Sequence, residues 1–192
     1  MGALHLSESK KKAQKEGAVI VFVDEASFRQ TPTLHQTWAP RNQRPEIPTG
    51  GERKTQKVLG AISLQGAQFA YRHQLEYFNQ TTYQSFLEDV VLPTYRRRGR
   101  RIYLIQDNAS YHKAPEVWNW FREQRRRIEV FPLQKYSPEF NAQERLWQYT
   151  RKHATHNRYF ANPAELRSTL INTFTDMEQH PEKLRGLLAP FF

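Results

Sequence analysis

The 192-residue chain has no cysteine and no hydrophobic run long enough to span a membrane. Without cysteine, it can form neither a disulfide framework nor a thiolate metal site. A bilayer-spanning helix needs about 20 consecutive apolar residues, and the polar, lysine-rich start of the chain lacks the apolar core of a signal peptide. These absences predict a soluble protein of the cytoplasm that has no membrane partner.

Acidic residues are scarce relative to basic ones. There are 19 Asp and Glu against 29 Lys and Arg, which gives a net charge of +10. This surplus favours a polyanionic partner, and nucleic acid is the leading candidate. Many basic proteins simply carry solvated arginines, so charge alone leaves that alternative open.

Hydrophobic patterning predicts a mixed α/β domain. The apolar run at 18–28 is typical of a central strand covered on both faces. The predicted elements that follow it are a hairpin of strands at 57–66 and 68–78 turning at Gln65-Gly66, a helix capped by Thr81 or Thr82 that stops near Pro93, a strand at 101–106, a helix opened by Pro115, a strand at 128–133, and helices from Asn141 onward.

This order predicts a ribonuclease H-like fold, with a mixed five-stranded sheet flanked by helices. Residues 1–17 are expected to form a linker or an N-terminal helix, and residues 18–192 to form one domain. Within that domain, residues 30–56 hold four prolines and a Gly-Gly pair, which predicts an extended arm. In this layout the first and fourth strands lie side by side, so Asp24 and Asp107 would meet at one edge of the sheet.

Asp24, Asp107 and Glu144 together suggest a metal site. Mg²⁺ prefers oxygen ligands, and paired Mg²⁺ ions stabilise the attacking and leaving oxygens of an in-line phosphoryl transfer. Each residue also has a simpler explanation. An aspartate at a strand end commonly serves a turn or helix cap, and the spacing from Asn141 to Glu144 matches a capping box.

Three segments carry a family resemblance: "VDEASF", "QDNASYHKA" and "YSPEFNAQERLW". In this order they resemble the catalytic motifs of DDE transposases of the mariner superfamily, especially those of bacterial insertion sequences. The resemblance spans residues 19 to 152, and the 37 positions from Asp107 to Glu144 are close to the spacing typical of the group. Two departures are visible, because Ala142 and Gln143 stand where proline and an apolar residue are common.

The resemblance implies that Asp24, Asp107 and Glu144 bind two Mg²⁺ ions, which Mn²⁺ can replace. It also implies an enzyme that cleaves transposon ends and joins the freed 3′-hydroxyl to target DNA, as a homodimer assembled on DNA. The expected setting is the nucleoid of a bacterial host.

Several neighbouring residues are weighed with the three carboxylates. Asn108 and His112 are expected to orient Asp107 or to contact phosphate, and local turn contacts are the alternative. Glu139 is an alternative ligand. Glu25 follows Asp24 on a strand, so it should point to the opposite face and is interpreted as structural.

DNA contacts are expected on two segments. The arm residues Trp38, Arg41 and Arg44 correspond to a loop that, in mariner-like transposases, reaches a partner subunit; a disordered loop is the alternative. Arg151, Lys152 and Arg158 follow Glu144 and are expected to bind DNA. The arginine clusters at 96–101 and 125–127 are either solvated or further DNA contacts.

Two other functions fit the same residues. A ribonuclease H-like nuclease would share the three carboxylates, and a domesticated DNA-binding protein would keep the fold without turnover. Full transposases of the resembled family carry helix-turn-helix modules, for which residues 1 to 18 offer no room. The chain is therefore expected to be a fragment or the second product of a split reading frame.

Overall fold

A computed structural model describes residues 2–49, 53–73, 75–96, 99–134 and 137–192. Its centre is a five-stranded sheet in the order β3-β2-β1-β4-β5. The strands are β1 Val19–Arg29, β2 Thr55–Ser63, β3 Phe69–Arg72, β4 Ile102–Gln106 and β5 Ile128–Pro132. β1 pairs antiparallel with β2 and parallel with β4, which confirms the predicted mixed sheet and the adjacency of the first and fourth strands.

Helices cover both faces of the sheet. They are α1 Gly2–Glu16, α2 Gln80–Phe86, α3 Leu92–Tyr95, α4 Pro115–Glu123, α5 Ala142–Thr150, α6 Pro163–Gln179 and α7 Pro181–Leu188, with π turns at Leu87–Val91 and Arg151–Thr155. No helix in the described ranges combines the length and the apolar character needed to cross a bilayer.

The two faces of β1 are buried in two separate cores. Ile20 and Phe22 pack in one core with Trp147 of α5 and Phe174 of α6. Val21, on the alternate face, packs in a second core with side chains of α2 and α4. This two-sided burial is why β1 reads as a continuous apolar run rather than an alternating one.

Three boundaries differ from those predicted. The N-cap of α2 is Asn79, whereas Thr82 lies in the first turn and closes a capping box with it. β3 ends at Arg72, because from Leu75 the chain leaves the sheet edge toward α2. Pro93 follows directly on the π turn Leu87–Val91 within one continuous helical segment, and that segment continues to Tyr95.

The N-terminal helix and the base of the arm are both attached to the sheet domain. In α1, Ala13 is fully buried and Lys12 Nζ lies 2.7 Å from Glu129 Oε1. The arm has little regular structure, but the backbone amide and carbonyl of His35 both hydrogen-bond the Asn157 side chain at 2.8 Å. Residues 50–52 of the arm lie outside the described residues.

α5 approaches β2 closely because Gly60 has no side chain. A Cβ atom at Gly60 would lie 2.5 Å from both Gln143 Nε2 and Trp147 Cη2. The Trp147 side chain is fully buried and contacts Phe28 and Phe174 edge-on, so its ring has little freedom to move. Gly60 therefore sets the distance between the sheet and the helix that carries Glu144.

Replacing Gly60 with alanine should destabilise the fold. Overpacking of a filled core costs about 1–3 kcal/mol, which should outweigh the conformational gain of about 0.5–1 kcal/mol from removing a strand glycine. Urea unfolding followed by tryptophan fluorescence measures the difference. Gly186→Ala is the matched control, because no atom lies within 4 Å of its Cβ position and a helical alanine should stabilise. Equal or greater stability of Gly60→Ala would contradict the packing argument.

Candidate metal and active site

The three carboxylates named from the sequence come from three different elements. The register of β1 and β4 pairs Phe22 with Ile105, and two further residues along each chain bring Asp24 level with Asp107. Glu144 lies in the first turn of α5, which packs over the same face of β1. Gln143, the neighbour of Glu144, lies beside Gly60, which is the cross-strand partner of Asp24, so the start of α5 lies over the two aspartates.

Asp24 is a buried carboxylate whose charge is not compensated. Its relative exposure is 7%, and its Oδ2 atom has no hydrogen-bond partner among the described residues. Burial raises its pKa well above the usual value, and the charges of Glu25, Glu144 and Asp107 raise it further. A site with this much unpaired negative charge favours either a proton or a metal cation.

Asp107 is held in its ionised form. Burial raises its pKa, but hydrogen bonds from His112 and the Ala109 amide outweigh that effect, so the pKa lies below the usual value. His112 Nδ1 is 2.9 Å from Asp107 Oδ1, and the Ala109 N–H donates to the same oxygen at 3.0 Å. The two neighbouring aspartates therefore respond oppositely to their surroundings.

Glu25 belongs to the same cluster, which sequence analysis missed. Strand alternation does direct it away from Asp24, toward the core that contains α2 and α4. There the Tyr111 hydroxyl donates to Glu25 Oε1, and Glu25 Oε2 lies 4.0 Å from His112 Nε2. Glu25, Asp107 and His112 each offer a ligand atom, and these atoms lie within 4.8 Å of one another. Glu25 points away from Asp24 as expected, and its interpretation as a structural residue stays a prediction.

His112 is the buried centre of this second group. It is fully inaccessible, and its ring centroid lies 4.2 Å from that of Tyr83 and 4.5 Å from that of Tyr111. Its Nε2 atom has no hydrogen-bond partner among the described residues. Two members of the group, Tyr111 and His112, closely follow Asp107 in sequence, but the part of Glu25 depends on the pairing of β1 with β4.

Asn108 and Glu139 are placed differently from the carboxylates. The Asn108 side-chain amide donates a hydrogen bond to the backbone carbonyl of Leu133. This bond links the end of β4 to the end of β5. Glu139 is exposed in a short turn at Pro138–Phe140. It is not among the carboxylates that perturb the pKa of Asp24.

The start of α5 leaves the Glu144 carboxylate free of a capping role. The Asn141 side chain accepts a hydrogen bond from the Gln143 amide at 3.1 Å, and the described contacts include no reciprocal bond from Glu144. Gln143 itself is fully buried beside Gly60, the cross-strand partner of Asp24, and both atoms of its side-chain amide lack a described partner. Gln143 stands where an apolar residue is common in the resembled family, and it places a polar group next to the acidic site.

The predicted DNA contacts lie on exposed surfaces. Trp38 is 97% exposed, and Arg41, Arg44, Lys152 and Arg158 are exposed as well. The half-buried Arg151 has its guanidinium 5.7 Å from the Phe28 ring centroid.

The arginine clusters at 96–101 and 125–127 precede β4 and β5, at the opposite end of the sheet from Asp107. Arg97 and Arg98 lie outside the described residues. Arg101 pairs with Glu129 at 2.9 Å, which is consistent with a stabilising role for this residue.

Proteins with similar sequences are known. Residues 19–167 match a family described as DDE superfamily endonuclease. The chain is 26% identical over 189 residues to the insertion element IS630 uncharacterized 39 kDa protein of Shigella sonnei, covering 97% of this chain and 52% of that protein. It is 28% identical over 144 residues to the Tcb1 transposase of Caenorhabditis briggsae, covering 70% of this chain and 51% of that protein.

Solved structures show the same fold. The Mos1 mariner paired-end complex with Mn superposes with a TM-score of 0.67 at 20% identity, covering 98% of this chain and 58% of that one. The Mos1 catalytic domain superposes with a TM-score of 0.61 at 19% identity, covering 99% of this chain and 87% of that one. These matches confirm the ribonuclease H-like fold class.

The chain spans about half the length of the curated relatives that it matches. The family match, in contrast, covers most of the chain and includes all three motifs from which the resemblance was drawn. The chain therefore belongs to the DDE superfamily endonuclease family.

Proposed function

We propose that this chain is the catalytic domain of a DNA transposase that cleaves transposon ends and joins the freed 3′-hydroxyl to target DNA. The observation that carries the proposal is the placement of Asp24 and Asp107 at one edge of the sheet, beneath the start of α5, which carries Glu144. Relatives support it, since one is named as the Tcb1 transposase and the Mos1 structures include a strand transfer complex. Family membership alone specifies an endonuclease, whereas joining of DNA is the further step proposed here.

Asp24, Asp107 and Glu144 are proposed to hold two Mg²⁺ ions, with Mn²⁺ as a substitute. The donor set fits, because carboxylate oxygens are the ligands that these cations prefer and Asp24 has an unpartnered buried oxygen. Mos1 structures with Mn and with Mg support the choice of metal. When bound, the ions would activate the attacking water or hydroxyl and stabilise the charge of the phosphate.

The protein's own residues prepare the two aspartates for this role. His112 and the Ala109 amide orient Asp107 and keep it ionised. Tyr111 and Glu25 in turn surround His112, so its imidazole cannot turn away without leaving buried polar groups unpaired. We assign His112 as a positioning residue for Asp107 on this basis, and we assign Asn108 to the alignment of β4 with β5.

DNA is the proposed substrate and partner, as transposon ends and as target. The net charge of +10 favours it, and Mos1 complexes contain transposon-end DNA. Trp38, Arg41 and Arg44 on the arm, with Arg151, Lys152 and Arg158 after α5, are proposed DNA contacts in a homodimer assembled on DNA. Since chromosomal DNA would be its target, we expect the protein to act at the nucleoid of a bacterial host.

Removing any one of the three carboxylates should abolish DNA cleavage. Asp24→Asn, Asp107→Asn and Glu144→Gln should each lower the cleavage rate of a transposon-end duplex by at least about a hundredfold, because transition-state charge would lose its stabilisation. Glu139→Gln is the control and should cleave normally. Thermal melting verifies that each variant is folded.

Normal cleavage by Asp107→Asn would refute the assigned site. Cleavage by the native chain without joining of the 3′-hydroxyl would indicate a nuclease. Folded native chain that binds DNA without cleaving it would indicate a DNA-binding protein that has lost turnover.

Metal should stabilise the native chain and not the Asp24→Asn variant. At Mg²⁺ tenfold above its dissociation constant, the gain is about 1.4 kcal/mol, or roughly 3–6 °C in Tm for a domain of this size. Without metal, burial raises the pKa of Asp24, so the free energy of unfolding falls as pH rises from 3.8, the ordinary value for aspartate, to the raised pKa. The Asp24→Asn variant buries no charge at this position and does not lose this stability. In EDTA at neutral pH its Tm should therefore be higher than that of the native chain.

Differential scanning fluorimetry across a pH series, with EDTA or Mg²⁺, measures both effects. A lower Tm of Asp24→Asn in EDTA would contradict the buried-charge argument. If Mg²⁺ raises the Tm of Asp24→Asn as much as that of the native chain, Asp24 is not a metal ligand.

DNA binding by this chain should depend on salt far more than on sequence. Counterion release makes affinity fall steeply as salt rises, whereas base readout normally requires a helix or ribbon in the major groove, an element that we do not assign here. Competition between a transposon-end duplex and a scrambled duplex, at two salt concentrations, measures both. A preference beyond roughly tenfold, about 1.4 kcal/mol, would show that this domain reads bases.

A further inference from the structure

A basic groove of about 770 Å³ lies where the arm rejoins the sheet. Its walls come from the end of β1, the start of β2, the segment after β3 and one residue of α6. Among the described residues β3 pairs with Leu59–Ile62 of β2, and the Lys57 side chain, nearer the start of β2, donates a hydrogen bond to the Glu76 carbonyl. The groove therefore combines the start of β2 with side chains from three other parts of the fold.

The charge of the groove is strongly positive. Its cationic lining residues are Arg29, Arg53, Lys54, Lys57 and Arg167, and Glu76 is the one carboxylate among the described residues that line it. None of the five cations forms an ion pair with a described residue, whereas Arg72, Arg101 and Lys183 elsewhere are all paired. Unpaired cations gathered in a concave surface attract a polyanion.

An exposed aromatic ring completes the groove. Tyr77 is 65% exposed, and the Lys57 ammonium lies 5.2 Å from its ring centroid. Exposed aromatic rings beside cations are the surfaces on which single-stranded nucleic acids stack their bases. The ring thus favours a nucleic acid over an acidic peptide as the occupant.

The groove begins next to the acidic site. Ser27 lines it and lies three residues beyond Asp24 on β1, about 10 Å along the strand. Arg167, on the helix α6 that packs against the Asp24 face of β1, lines it too. A DNA strand with one phosphate at the carboxylates would therefore reach the groove within a few nucleotides.

We propose that the groove binds the DNA strand that carries the scissile phosphate, with phosphates against the unpaired cations and an unstacked base against Tyr77. The identity of this polyanion as DNA rests on the proposed transposase function. The proposal assigns strand contacts to residues separate from the arm residues and from those that follow α5.

The test compares two triple variants of equal charge, both made in the cleavage-deficient Asp107→Asn chain. The groove variant carries Arg29→Gln, Lys54→Gln and Arg167→Gln. The control carries Lys11→Gln, Lys15→Gln and Arg122→Gln, at exposed positions outside the groove and the arginine clusters. Fluorescence anisotropy with a forked DNA, over a range of salt, gives the affinity and its salt dependence for each.

The groove variant should bind roughly tenfold more weakly than the control, and its log–log salt slope should be smaller by about 2–3. Tyr77→Ala should lose roughly fivefold in affinity for the single-stranded arm, and Tyr77→Phe should not. If both triple variants lose the same DNA affinity, the groove contributes only the nonspecific attraction of the net charge, which would overturn the proposal. Displacement of DNA by poly-glutamate at equal charge concentration would overturn it in favour of an acidic peptide.

Cross-linking separates this proposal from the proposed function. The chain has no cysteine, so Ser27→Cys introduces a single thiol in the groove. DNA that carries a disulfide-activated tether beside the scissile phosphate should cross-link to Ser27→Cys and not to the exposed control Glu123→Cys. Cross-linking in a chain that never cleaves DNA would retain the groove and reject the transposase. Cleavage by the native chain with no cross-linking at Ser27→Cys would support the transposase function and reject the groove as the site of the scissile strand.

Discussion

The parallel pairing of β1 with β4 is the contact on which the acidic site depends. Parallel strands end at the same edge of a sheet, so Asp24 and Asp107 become neighbours although they are distant in sequence. α5 then crosses the same face, seated against Gly60 through Trp147, and supplies Glu144. A slip of one residue between β1 and β4 would turn Asp24 toward the other core, and the burial of both faces of β1 is what prevents that slip.

Electrostatics divides the roles within this site. His112 compensates Asp107, whereas Asp24 is buried among other carboxylates, and only a proton or a cation can relieve its charge. The remainder of the protein is basic, with a net charge of +10. A polyanion would be attracted to the surface as a whole and repelled at the one place where chemistry is proposed, until metal neutralises it. Metal and DNA binding should therefore reinforce each other.

Sequence patterns predicted the mixed five-stranded sheet, because long apolar runs are strong local signals, and the ribonuclease H-like layout predicted the pairing of the first and fourth strands that makes Asp24 and Asp107 neighbours. They placed the cap of α2 at Thr81 or Thr82 rather than at Asn79, since Asn and Thr are both good caps and packing decides between them. The link between Glu25 and Tyr111, the pairing of Asn108 with Leu133 and the basic groove involve residues far apart in sequence. Only the tertiary structure brings them together.

A crystal soaked with Mn²⁺ tests the central claim most directly, because anomalous scattering locates the ion independently of activity. We expect Mn²⁺ bound by oxygens of Asp24 and Asp107, with Glu144 completing the protein ligands. A different donor set that shares Asp107 with the proposed site consists of Glu25, Asp107 and His112. Mn²⁺ bound by Glu25 and His112, with Asp24 and Glu144 free of metal, would contradict this account.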